Sequence, residues 1–250
     1  MKIVSFQLND NISYGVIKNK EVMLIKGNIF GDFVVSDIRI PLDGIKILPP
    51  VMPSKAVCVG LNYRDHIEES HAQVPRNPVI FIKPSTSVIG NMDDIEYPKL
   101  SNRVDYEGEL AIVIGKKTKN ISVKTAKEHI FGYTCSNDVT ARDLQPSNGQ
   151  WTISKSFDTF LPLGPCIETE LDPMNLDIRT YLNHELKQSS NTCHLIFDPY
   201  TLISYISEIM TLLPGDVILT GTPSGIGPMK KGDRVIVEIE NIGRLINYVK

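Results

Sequence analysis

The sequence predicts an α+β chain that is mainly β, with a small β-rich unit at the N-terminus and a larger β body carrying a few peripheral helices. Three observations carry that expectation. Short runs rich in Val, Ile, Phe and Tyr recur along the chain, bounded by Gly, Asn and Asp. A proline-rich stretch, "ILPPVMPSK" (47–55), interrupts them early. Near the C-terminus, "DPYTLISYISEIMTLL" shows apolar residues at helical spacing behind an Asp-Pro start. With 250 residues the chain can form one large domain with a small appendage and bury a sizeable core.

In order, residues 1–53 hold the strand-like runs "KIVSFQL", "SYGVIKN" and "EVMLIK" and are expected to form the small N-terminal domain. Residues 54–250 are expected to form the body. There "KAVCVGLNY" reads as a buried strand and a turn. "YRDHIEESH" reads as a short helix with Asn62 at its N-cap. "PVIFIKP" is a strand, "VDYEGELAIVIG" another, "VKTAKEHI" a short helix and "FGYTCSND" a strand. Leu202, Ile203, Ile206, Ile209, Met210 and Leu213 mark the apolar face of the C-terminal helix. "DVILTGTP" and "DRVIVEIENIGRLINYV" close the chain as strands and turns.

Composition removes several classes of function. Hydrophobic residues at 42% and charged residues at 22% match an ordinary globular protein. A net charge of −3 offers no electrostatic footprint for nucleic acid or an anionic membrane. Apolar runs such as "LAIVI" are far too short to span a bilayer, and "MKIVSFQLND" lacks a signal-peptide core. Cys58, Cys135, Cys166 and Cys193 are scattered, as expected of reduced thiols in a cytoplasmic protein.

The chemistry begins at "VDYEGELAIVIG" (104–115). Glu107 and Glu109 alternate onto one face of a strand, with Cβ atoms about 6–7 Å apart. The residues that follow are apolar on both faces, so the glutamates enter a core, where an isolated carboxylate is costly. Asp138 ends "FGYTCSND" and adds a third acid. Three carboxylates favour a hard cation over zinc; Lys or Arg partners on a solvated edge are the competing reading.

Other groups fall around this cluster. His66 and Glu69 lie three apart on the short helix, so the carboxylate can orient the imidazole as a general base; a surface ion pair is the alternative. His71 lacks such support and is read as structural. Lys155, among apolar residues in "WTISKSFDTFLPLGP", suits a developing enolate or a salt bridge to a glutamate. Arg142 of "DVTARDLQ" suits a substrate carboxylate, or a lock onto Asp143 or Asp138; Gln145 follows it. "LTGTPSGIGP", with Thr220 and Thr222, is a Gly-rich turn suited to an anion, or a plain β-turn.

Taken together, "GLNYRDHIEE", "FIKPSTSVIG", "VDYEGELAIVIGK", "GYTCSNDVTARDLQ", "WTISKSFDTFLPLGP" and "LLPGDVILTGTPSGIGP", in this order from Lys55 onward, resemble the fumarylacetoacetate hydrolase family. Residues 1–53 resemble the small N-terminal domain of many bacterial members. The resemblance implies a mixed, rolled β-sheet and a homodimer. It implies a Mg²⁺ site (Mn²⁺ or Ca²⁺ also possible) of Glu107, Glu109 and Asp138. It implies a supporting lysine at Lys155, a water-activating dyad of His66 and Glu69, and a substrate pocket at Arg142, Gln145 and Thr222. Family substrates are small 2-oxo acids or their enols. The intact dyad favours carbon–carbon cleavage, as an acylpyruvate hydrolase or oxaloacetate decarboxylase. The alternative is a 2-hydroxyhepta-2,4-diene-1,7-dioate isomerase or a 5-oxopent-3-ene-1,2,5-tricarboxylate decarboxylase. A non-catalytic, metal-stabilised binding protein is the reading of another class.

Overall fold

The computed structural model describes residues 1–8, 11–70, 72–147 and 149–250. The chain opens on an antiparallel meander of β1 (Lys2–Leu8), β2 (Asn11–Lys18), β3 (Glu21–Gly27) and β4 (Phe33–Pro41), and β5 (Lys46–Leu48) returns to β1. The body begins with β6 (Ala56–Gly60), α1 (Arg64–Ser70), β7 (Val79–Lys83), β8 (Val88–Ile89) and β9 (Asp94–Ile95). Next come β10 (Val104–Tyr106), β11 (Gly108–Ile114), β12 (Ile130–Asn137), β13 (Thr140–Ala141), α2 (Thr152–Lys155) and β14 (Leu161–Glu168). It finishes with β15 (Asp177–Leu182), β16 (Glu185–Asn191), α3 (Pro199–Ile209), β17 (Val217–Leu219), β18 (Gly227–Met229), β19 (Arg234–Ile239) and β20 (Gly243–Val249).

The main sheet runs β4-β3-β2-β1-β14-β12-β11-β17-β6-β7. It is mixed, because β17 and β6 pair parallel while β11 and β12 pair antiparallel. The meander's sheet runs on into the body's through Lys2 opposite Glu168 and Ile3 opposite Ile167. A second sheet, β16-β15-β19-β20-β9, packs against it, and β13-β10-β18 forms a third. The mainly-β architecture with peripheral helices agrees with the expectation from sequence. Among the described residues no helix is long and apolar enough to cross a membrane.

The strand β11 is buried along its whole length. Leu110, Ile112 and Ile114 point into a core shared with Val57, Leu202, Ile203 and Ile206. Ala111 and Val113 point the other way, against Cys58, Leu161 and Leu219. This two-sided burial fixes where β11 starts, and so where Glu109 stands and where Glu107 stands just before it. The cysteines are free thiols, three of them buried and Cys193 exposed.

α3 starts as expected: Asp198 caps it, accepting from the backbone N–H of Tyr200 (2.9 Å) and Thr201 (3.0 Å). Its apolar face is shorter than the spacing implied. The helix ends at Ile209, which is exposed, and Leu213 lies beyond it in a turn whose N–H donates to Asp216. Residues Val123–His129 form a 3₁₀ stretch rather than an α-helix. With only Ala126 buried, the segment has too little apolar face to stabilise a longer helix. Asn62 does not cap α1. Its side chain is spent on the backbone of Phe197 and Thr220, tying the turn after β6 to the two segments beside it. His71 lies outside the described residues.

Candidate active site

The pairing of β11 with β12 places Gly108 opposite Asn137, so the strand ends next to the acids stand side by side. Glu107 sits in the break between β10 and β11, Glu109 in β11, and Asp138 just past β12. The Asp138 N–H donates to the Glu107 carbonyl at 2.8 Å, and the Glu107 N–H to Asn137 Oδ1 at 2.9 Å. All three carboxyl groups are buried, and one oxygen from each lies within 4.8 Å of the others.

Three cations meet this cluster. Lys155 Nζ donates to Glu107 Oε2 at 2.8 Å and to Asp138 Oδ2 at 2.7 Å. Arg142 donates to Glu107 Oε1 and Gln145 Oε1, and at 2.9 Å to Asp105 Oδ2. Lys83, fully buried, donates to Asp138 Oδ1 and at 2.9 Å to the Val139 carbonyl. Glu109 differs. It accepts from the Gly221 N–H at 2.7 Å, and among the described residues no lysine or arginine pairs with it.

The electrostatics follow from this arrangement. Burial pushes the Glu107 carboxyl up, but Lys155 and Arg142 more than reverse that and hold it well below the usual carboxylate range. Burial also pushes Glu109 up, and the charges of Asp138 and Glu107 add to it, so its carboxyl stands well above that range. Burial alone would lower the Lys155 ammonium; Asp138 and Glu107 outweigh it and raise it. A hard divalent cation fits this donor set. The donors are carboxylate oxygens with no Cys or His among them, and Glu109 is a buried acid that forms no ion pair among the described residues.

A cleft of about 470 Å³ opens over the cluster. Its walls include His66, Lys155, Arg142, Gln145 and Thr222, all singled out from sequence, together with Phe81, Arg103 and Trp151. His66 Nδ1 lies 3.3 Å from Glu69 Oε2, and Glu69 in turn accepts from the Gly225 N–H at 3.0 and 3.2 Å. Glu69 stands behind the imidazole, outside the cleft wall. Lys155 makes the salt bridge to Glu107 that was one of its two readings, and it also lines the cleft. Arg142 locks onto Asp105 and Glu107, whereas Asp143 is taken by Ser101 and the Asn102 N–H. The Gly-rich turn meets the chain's own anion: Gly221 holds Glu109. Thr222 Oγ1 donates to the Gly108 carbonyl at 3.0 Å and accepts from Gln188 at 2.8 Å.

Sequence reasoning passed over Lys83 and Asp105. The signal for Lys83 was present: it lies two residues after Phe81, on the same strand face, where an apolar residue would be expected. Ile82 between them is exposed. Asp105, fully buried, holds Arg103 as well as Arg142.

Residues 55–250 match the family model for fumarylacetoacetate (FAA) hydrolase, C-terminal, and residues 1–50 match the Rv2993c-like, N-terminal model. The chain belongs to the fumarylacetoacetate hydrolase family. An uncharacterized protein of Archaeoglobus fulgidus is 56% identical over 220 residues, 88% of each chain. Mitochondrial oxaloacetate tautomerase Fahd2a of Rattus norvegicus is 47% identical over 222 residues, covering 84% of this chain and 71% of its own. The crystal structure of 2-hydroxyhepta-2,4-diene-1,7-dioate isomerase from Mycobacterium marinum is similar over 100% of this chain and 98% of that one, with a TM-score of 0.93 and 41% identity.

Proposed function

We propose that this protein is a divalent-cation-dependent enzyme acting on small 2-oxo dicarboxylic acids through their enols, with keto–enol conversion of oxaloacetate as its first reaction. The observation that carries the reading is the shared cleft: a histidine backed by a carboxylate faces a buried acidic triad. Glu107, Glu109 and Asp138 would hold the cation, which supplies Lewis-acid stabilisation of enolate charge. His66 Nε2, left free because Nδ1 faces Glu69, takes the proton from C3. The C3–H bond breaks, a C2=C3 double bond forms, and His66 hands the proton on to the 2-oxo oxygen, directly or through water, so the imidazole returns to its starting state and no atom is lost. Arg142, Gln145 and Thr222 border the substrate's carboxylate, and Lys155 lends positive charge to the developing oxyanion. The names of the rat and mycobacterial relatives, a tautomerase and an isomerase, support a reaction that relocates a proton.

Carbon–carbon cleavage is the second reading, favoured by the same histidine, which can activate a water beside the substrate in a cleft of this size. The same proposal assigns residues 1–53 and 54–250 to two domains, and a homodimer as the assembly. The test uses protein stripped with chelator and reloaded with Mg²⁺, Mn²⁺ or Ca²⁺. Ultraviolet absorbance follows the enol of oxaloacetate, and a coupled assay follows pyruvate from oxaloacetate and acetylpyruvate. Cation-dependent enol conversion without pyruvate supports tautomerisation. Pyruvate release moves the enzyme to the cleavage reading. No cation-dependent turnover of any substrate defeats both.

A further inference from the structure

We propose that Lys83 is a positioning residue that locks Asp138 for cation binding, and that this lock sets the site's preference for Mg²⁺ over Ca²⁺. The inference rests on the reading of Glu107, Glu109 and Asp138 as cation ligands. Lys83 is the last residue of β7, and its side chain is fully buried. A buried ammonium is tolerated only when its donors are satisfied by charge and hydrogen bonds. Here a single ammonium takes Asp138 Oδ1 and the Val139 carbonyl together. It therefore fixes both the Asp138 side chain and the peptide that follows it.

The rest of Asp138 is held as tightly. Its N–H is tied to the Glu107 carbonyl at 2.8 Å, and its own carbonyl accepts from Thr140 Oγ1 at 2.8 Å. With Oδ1 taken by Lys83, Oδ2 is the oxygen turned toward Glu107, where Lys155 meets both acids. Glu109 carries no comparable restraint beyond one backbone N–H. The site thus combines one carboxylate clamped from β7, at the edge of the main sheet, with one that can adapt. Mg²⁺ demands near-ideal octahedral geometry, whereas Ca²⁺ accepts varied geometry and longer bonds. Loosening Asp138 should therefore harm Mg²⁺ binding more than Ca²⁺ binding. Removing a positive charge next to the site would by itself strengthen both, so the direction of change separates positioning from simple charge.

The experiment is calorimetric titration of chelator-stripped wild-type, Lys83→Met and Lys83→Gln proteins with Mg²⁺ and with Ca²⁺. Loss of a group that orients a metal ligand typically weakens affinity about 10–100-fold. The expected result is a loss in that range for Mg²⁺ and a clearly smaller one for Ca²⁺. A general loss of fold would not shift the ratio of the two affinities in the protein that remains folded. Equal weakening of both metals, or a gain for either, overturns the inference. Should both variants fail to fold, crystal structures of the wild type with and without Mg²⁺ decide it: an unchanged Asp138 rotamer supports the lock, and a rotated one refutes it. A wild type that binds neither cation defeats the site reading itself and the inference with it.

Discussion

Replacing Lys155 by Met tests the ion-pair frame of the site directly. Methionine keeps the length of the side chain and removes its charge. The ammonium bridges two buried carboxylates, at 2.8 Å to Glu107 and 2.7 Å to Asp138, and is itself almost wholly buried. Removing one partner of a buried pair costs about 3–5 kcal/mol, because the other charge is left uncompensated. Glu107 keeps Arg142 and Asp138 keeps Lys83, which places the expected loss at the lower end, about 3 kcal/mol. For a chain of this length that is a fall in Tm of roughly 6–12 °C. The measurement is thermal and urea unfolding in chelator, repeated with Mg²⁺. Because the variant no longer has an ammonium competing for Glu107 and Asp138, Mg²⁺ at a hundred times its Kd should restore about 2.7 kcal/mol. Turnover should remain lost even with Mg²⁺ present. A loss below about 1 kcal/mol in chelator, the range of an exposed pair, would show that the ammonium does not bridge the two acids in solution.

Three further outcomes are expected. Glu109 has a raised carboxyl pKa, so the folded chain holds a proton that the unfolded chain releases near pH 4.3; its contribution is full below about that pH and is lost as pH rises through the raised value. In chelator, stability should therefore decline as pH rises above the carboxylate range, and both Glu109→Gln and added Mg²⁺ should flatten that decline, while Glu109→Gln abolishes cation binding. Glu107, lowered in the fold, works in the opposite window and loses its contribution as pH falls below about 4.3. His66→Ala should lower kcat by about 10²–10⁴ and leave Mg²⁺ affinity essentially unchanged in calorimetry; a matching loss of affinity would remove His66 from the role of base. Gly60→Ala places a methyl 2.5 and 2.8 Å from ring atoms of Trp151, so the ring must move. As Trp151 is the single tryptophan, a shift in its emission with a raised KM is expected, and unchanged emission would show that the two do not pack together.

What could be read from the sequence divides by the range of the interactions involved. β11 was legible because its apolar run is continuous, and its burial on both faces follows from that run alone. The start of α3 was legible because Asp198 and Pro199 act within one turn. Its end was not, since Leu213 fits the helical period yet lies in a turn tied to Asp216. The pairing of β1 with β14 joins residues more than 160 positions apart and leaves no local trace in either strand. The triad was legible because two of its acids alternate along one extended run, interrupted only at Glu107 where β10 gives way to β11, and the third directly follows β12. For Lys83 the alternation along β7 left a signal, but its partner was not legible, because a lysine before a proline at a strand end looks solvated until Asp138 is seen beside it. Asn62 shows the same limit: its residue type suits a cap, and only tertiary contacts reveal the carbonyls it serves instead.

The charge inventory explains why the proposed substrate is a dicarboxylate. Asp105, Glu107, Glu109 and Asp138 are matched in number by Lys83, Arg103, Arg142 and Lys155. The matching is uneven. Asp105 holds two arginines and Asp138 two lysines, while among the described residues Glu109 holds none. A divalent cation relieves Glu109 but leaves the cluster with two positive charges in excess, mostly on groups where uncompensated charge is costly, with Arg103 alone among the four cations half exposed. A monoanionic 2-oxo acid cancels half of that excess, and a dianion cancels all of it. Cation and diacid should therefore strengthen one another's binding, and by linkage the factor is the same in both directions. A triad relieved by the cation alone would bind it equally well with or without the diacid.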